Sequence, residues 1–165
     1  MLKNNIKLGK LFGVPVEINI SWFLILLLVT WTVAEGYFGS DDFGYLSTGQ
    51  RWLYGAIAAI LLFGSILLHE VMHSVVAVKN GLPVNRITLF LFGGVAQMTE
   101  EPKSAGVEFK MSIAGPLTSF VLSGIFYGIY RIFSSTDSLA QVGVSIRAAL
   151  FGYLALINFI ILVFN

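Results

Sequence analysis

Residues 52–78 read WLYGAIAAILLFGSILLHEVMHSVVAV, apolar almost throughout. The run is longer than the about 20 residues that an α-helix needs to cross a bilayer. Its polar exceptions cluster: His69, Glu70 and His73, with small hydroxyls at Ser65 and Ser74. Residues four apart share a helix face, so His69 and His73 can grip one metal ion from one side. Glu70 is turned partly away, close enough to act on a ligand of that metal rather than bind it. A buried histidine on an apolar helix is ordinarily a packed core residue. Here both histidines of the chain fall in one pentapeptide around a glutamate. An ionisable group at membrane depth costs about 3 kcal/mol unless it is paired or coordinated, and the pattern therefore points to a metal.

Composition agrees with a membrane setting. Of the 165 residues, 56% are hydrophobic and 12% charged, against about 25% charged in an ordinary soluble domain. The expected fold class is an all-α polytopic membrane protein, with about four transmembrane helices and a short β-hairpin between the second and third. A net charge of +1 offers no basic face for nucleic acid. The absence of cysteine excludes disulfides and thiolate ligation, leaving imidazole, carboxylate or water to hold an ion.

Outward from the central run, residues 1–165 read as a single transmembrane domain. Met1 to Gly13 is short and basic. The first span is expected over about 18–34, retained rather than cleaved because no small-x-small site follows it. Trp22 and Trp31 stand near its ends, as interfacial aromatics do. A loop with Gly, Asp and Ser covers Glu35 to Arg51. The second span, 52–78, stops at Lys79-Asn80-Gly81-Leu82-Pro83: a cation, then Gly, then Pro. Residues 84–98 (VNRITLFLFGGVAQM) are β-branched and aromatic around Gly93-Gly94, the signature of a hairpin. It is either an ordinary surface hairpin or an edge strand beside the site. The third span, about 109–133, contains Ala114-Gly115-Pro116 and Gly124-x-x-x-Gly128, small residues that read as close helix packing in lipid. The fourth is expected over about 142–165, with Arg147 free to snorkel outward.

The cations set an orientation. With a cytoplasmic N-terminus, Lys3, Lys7, Lys10, Lys79, Arg86, Lys103 and Lys110 all fall inside, as the positive-inside rule asks. His69 then lies roughly 26 Å along the second span, toward the cytoplasmic leaflet. The hairpin, Gly115-Pro116 and Asn165 fall at the same end, so the candidate elements converge in depth in a multi-pass protein of the cell membrane.

A His-Glu-x-x-His turn suits hydrolysis by a single Zn²⁺ ion, with Glu70 as general base. A catalytic zinc takes three protein ligands, and a third is lacking. Glu17, Glu35, Asp41, Asp42, Glu100, Glu101, Glu108 and Asp137 all lie in loops or at span ends; none is a good ligand.

Five stretches together resemble the site-2 proteases, zinc metalloproteases that cut transmembrane helices within the membrane. They are LFGVPVEINISW (Leu11–Trp22), HEVMH (His69–His73), LFGGVAQM (Leu91–Met98), SIAGPLTSF (Ser112–Phe120) and INFIILVFN (Ile157–Asn165). The likeness spans nearly the whole chain and is nearest the archaeal and bacterial branch. It implies that His69 and His73 bind zinc, that Glu70 is the general base, and that the hairpin takes the unwound substrate as an added strand. It also implies that Asn165 opens an Asn-x-x-Pro motif and polarises the scissile carbonyl. The third ligand is then an aspartate about eight residues beyond Asn165, and the sequence is expected to be an incomplete core. The implied partners are a transmembrane segment of a substrate protein and the lipid bilayer. No feature of the sequence sets an oligomeric state.

Two other functions fit a histidine pair in a membrane helix. A metal-ion transporter would carry polar groups on several spans to hand the ion along, and the third and fourth spans offer almost none. A non-catalytic relative that binds membrane partners would have no need of Glu70.

Overall fold

The computed structural model describes residues 5–102, 104–136 and 145–164. The elements run β1 (Asn5–Leu11), β2 (Val14–Asn19), α1 (Ser21–Trp31) with a π-helical continuation (Thr32–Tyr37), a 3₁₀ turn (Asp41–Phe43), α2 (Thr48–Lys79), β3 (Val84–Phe90), β4 (Gly93–Met98), α3 (Ala105–Thr136) and α4 (Ile146–Phe164).

Helix α2 is bounded by local chemistry. Ser47 accepts from the Gln50 N–H at 3.3 Å, and its own N–H donates to Gln50 Oε1 at 2.9 Å; this reciprocal cap satisfies two otherwise orphaned donors. At the other end Gly81 takes φ +80°, and Leu82 N–H returns to Ala77 O at 3.0 Å, as glycine-terminated helices do. Among the described residues, three helices are long and apolar enough to cross a membrane: α2, α3 and α4. α1 with its π-helical continuation is shorter. Large apolar side chains such as Leu24, Phe120 and Phe159 point outward, a surface that suits lipid and not water.

The hairpin expected over 84–98 is present as β3 and β4, and it is half of a larger sheet. Four strands pair in the order β1-β2-β3-β4. Both hairpins are antiparallel, and β2 and β3 join them in parallel, Val16 opposite Ile87 and Ile18 opposite Leu89. Ile18 and Asn19, expected in the first span, belong to β2, so α1 begins only at Ser21. The cause is the alternation Val14, Val16, Ile18, which buries one face of β2. Val14 and Ile87 pack on Val71 of α2, and this seats the sheet against the central helix.

Helices α3 and α4 meet through Ser123 Oγ, which donates to Ala155 O at 2.8 Å, and through the stacked rings of Phe133 and Phe151. Gly124 and Gly128 do not make the close approach expected of them: a Cβ added at either meets open space. Arg147 is exposed and lies over the Phe133 ring, 5.0 Å from its centroid, a cation–π contact.

Candidate metal centre and active site

Ser65, His69 and His73 follow one another at four-residue steps along one face of α2. That face turns toward α3 and α4. Ser65 and His69 are buried, and His73 and Glu70 are half-buried.

Each imidazole is fixed by its Nδ1. His69 Nδ1 meets Ser119 Oγ at 2.8 Å, and His73 Nδ1 meets Met111 O at 2.6 Å. Both partners belong to α3, so packing of α3 on α2 sets the two ring orientations. A carbonyl only accepts, so His73 Nδ1 carries the hydrogen and its Nε2 presents a lone pair. The two Nε2 atoms lie 3.1 Å apart. Two lone pairs do not face each other at that distance without something positive between them, either a proton or a metal ion. Nitrogens on one tetrahedral zinc, each at about 2.0–2.1 Å, lie about 3.3 Å apart, so the spacing fits.

Gly115 leaves room beside the pair. A Cβ added there would fall within bonding distance of both Nε2 atoms. Only a residue without a side chain leaves that place open. Gly115 was expected to serve helix packing at the depth of the site; its contact is with the histidines. The Ala-Gly-Pro triplet was the available signal, but which helix it faces is a tertiary fact. Among the described residues no third His, Asp or Glu joins the pair. Asn165 lies outside the described residues.

Two further residues enter the site; both lie in stretches that carry the family resemblance, LFGGVAQM and INFIILVFN, but neither was singled out for a role. Gly94 of β4 backs directly onto Glu70: a Cβ there would stand 2.6 Å from Glu70 Cγ. The second strand of the hairpin is thereby held beside the carboxylate, and β4 is one of the two edges of the sheet, with β1 at the other. From α4, Asn158 is fully buried. Its Nδ2 donates to Leu154 O at 2.9 Å and reaches Ser65 Oγ at 3.4 Å, one turn before His69. Its Oδ1 has no partner among the described residues.

The arrangement can hold a divalent ion on two oriented imidazoles, place a carboxylate beside it, and offer an open strand edge. Comparison with known proteins agrees. The model of peptidase family M50 matches residues 57–150. A Synechocystis sp. protein named as a zinc metalloprotease is 42% identical over 99% of this chain, which covers 40% of that protein. A zinc metalloprotease of Methanocaldococcus jannaschii is 34% identical over 78% of the chain, corresponding to 33% of its own length. The solved structure of the site-2 protease from Methanocaldococcus jannaschii superposes with a TM-score of 0.65 at 31% identity, covering 98% of this chain and 63% of that one. The chain thus spans about two fifths or less of the curated relatives it matches. With the His-Glu-x-x-His turn inside the matched region and the fold shared nearly end to end, this chain belongs to peptidase family M50, the site-2 protease family.

Proposed function

We propose that this chain carries the catalytic core of an intramembrane zinc metalloendopeptidase that hydrolyses peptide bonds in transmembrane segments of substrate proteins. The observation that carries the reading is the pair of Nε2 atoms 3.1 Å apart, with the bare backbone of Gly115 against both.

In this reading His69 and His73 hold one zinc ion through Nε2, while Ser119 and Met111 keep the rings from turning. When bound, zinc supplies a Lewis acid and a water acidified to a pKa of about 7. Glu70 takes the proton of the attacking water and passes it to the leaving amine nitrogen. An extended substrate segment adds to the free edge of β4, where Gly94 brings the strand against Glu70. Asn165 polarises the scissile carbonyl; a catalytic zinc takes a third protein ligand, which the described residues do not add to the pair. The lysines put the N-terminus and the site toward the cytoplasm.

The test is Glu70→Gln in the full-length protein, assayed on a single-pass substrate in proteoliposomes. Cleavage is expected to disappear while zinc stays bound. Loss of zinc would instead make Glu70 a ligand and overturn the assignment of the base.

A further inference from the structure

The sheet has a second face, turned away from α2, that the catalytic reading does not use. Strand β1 carries Lys7 and Lys10, three positions apart. In a regular strand they would point to opposite sides. The β1–β2 register breaks between Lys7 and Gly9: Lys7 stands opposite Glu17 and Lys10 opposite Pro15, with Leu8 as the extra residue. Gly9 takes φ +122° to allow this. The bulge turns both lysines to the side of the sheet that carries Glu17, which is how bulges re-aim side chains.

There they line one cavity of about 500 Å³ with Arg86 and Asn85 of β3 and with Glu17. Glu17 is buried, 7% exposed. Its charge is already met by Arg86 at 3.4 Å and by the Asn5 amide at 2.9 Å. Among the described residues no carboxylate pairs with Lys7 or Lys10. The cavity therefore presents two uncompensated cations.

The same hairpin carries exposed apolar side chains. Ile6 and Leu8 are about half exposed, and Phe12, at the tip of the β1–β2 turn, is 71% exposed. Phe12 lines an apolar groove of about 590 Å³ between α2 and α3, with Met72, Val76 and Ile113 and with Lys110 among its walls. Two of the helices long and apolar enough to cross a membrane form that groove, a surface of the kind that an acyl chain covers. Lys10 precedes Phe12 by two residues, close enough for one amphipathic molecule to meet both. Lipid phosphates are the anions concentrated at such an apolar–polar boundary.

We propose that the β1–β2 hairpin is a binding site for an anionic phospholipid: Lys7 and Lys10 take the phosphate, and an acyl chain lies against Phe12 in the α2–α3 groove. The chemistry is that of an interfacial element with apolar side chains in the acyl boundary and ammonium groups on the headgroups.

The full-length protein in detergent is titrated with dioctanoyl phosphatidylglycerol, dioctanoyl phosphatidylcholine or inorganic phosphate, and thermal unfolding is followed by tryptophan fluorescence. Phosphatidylglycerol is expected to raise the melting temperature well above the effect of phosphatidylcholine, and phosphate to do nothing. In Lys7→Gln/Lys10→Gln the phosphatidylglycerol needed for half the effect rises about 30-fold, from two lysines near an anionic surface. Both lysines are exposed and have no ion-pair partner among the described residues, and Arg86 is kept because it holds Glu17 and Gln97. Equal responses to the two lipids, or an unchanged response in the double variant, would refute the site. A shift produced by phosphate alone would also refute it, in favour of a soluble anion.

Discussion

Replacing Gly115 by alanine is a severe test, because helix propensity and site geometry predict opposite results. By propensity alone, alanine in a helix interior is better than glycine by about 1 kcal/mol. The added methyl, however, would fall on both Nε2 atoms. Relief requires the imidazoles to turn, and each turn gives up a hydrogen bond at Nδ1, to Ser119 or to Met111, at about 1 kcal/mol apiece. Loss of an orienting partner alone lowers metal affinity about 10–100-fold; here both ligands move and the ion's own place is filled. We expect zinc affinity to fall at least about 100-fold in Gly115→Ala. The measurement is zinc stoichiometry on the purified full-length protein with chelator competition, alongside thermal unfolding of the metal-free form. Gly124→Ala, on the same helix and facing open space, is the matched control and keeps its zinc. If Gly115→Ala binds zinc like the parent, the ion does not sit between His69 and His73 against α3, and the assignment of the centre fails.

Two other substitutions separate the metal from the carboxylate. Ser119→Ala removes the hydroxyl that meets His69 Nδ1 at 2.8 Å and should weaken zinc binding about 10–100-fold, read by the same competition; an unchanged affinity would show that Ser119 does not orient the ring. Gly94→Val pushes a side chain against Glu70, whose Cγ and Cδ are the atoms nearest to the added Cβ. It should cut the cleavage rate about 100-fold, the scale of a 1 Å misplacement, with zinc fully retained. Zinc loss in that variant would argue against separate roles for β4 and the histidine pair.

The N-terminal hairpin shows why part of the fold escaped sequence reading. Strand recognition depends on period-two alternation. In Ile6-Lys7-Leu8-Gly9-Lys10-Leu11 the bulge at Leu8 breaks that period, so the stretch read only as short and basic. Its neighbour β2 merged into the apolar run after it, and the expected first helix began too early. Gly115 and Gly124 make a similar pair: both were small residues in an apolar helix, and only one touches the site.

What the amino-acid order determined by itself was whatever depends on neighbours along the chain. The length of the apolar runs fixed helices in a bilayer, Gly81 stopped the central one, and the four-residue step put two imidazoles on one face. What packing alone decided was what those groups meet. Ser119 and Met111 reach His69 and His73 across 50 and 38 positions, and β2 finds β3 in parallel across the whole of α1 and α2. Spacing along a helix specifies a direction, whereas the partner in that direction is chosen by how separate elements bury their faces against one another.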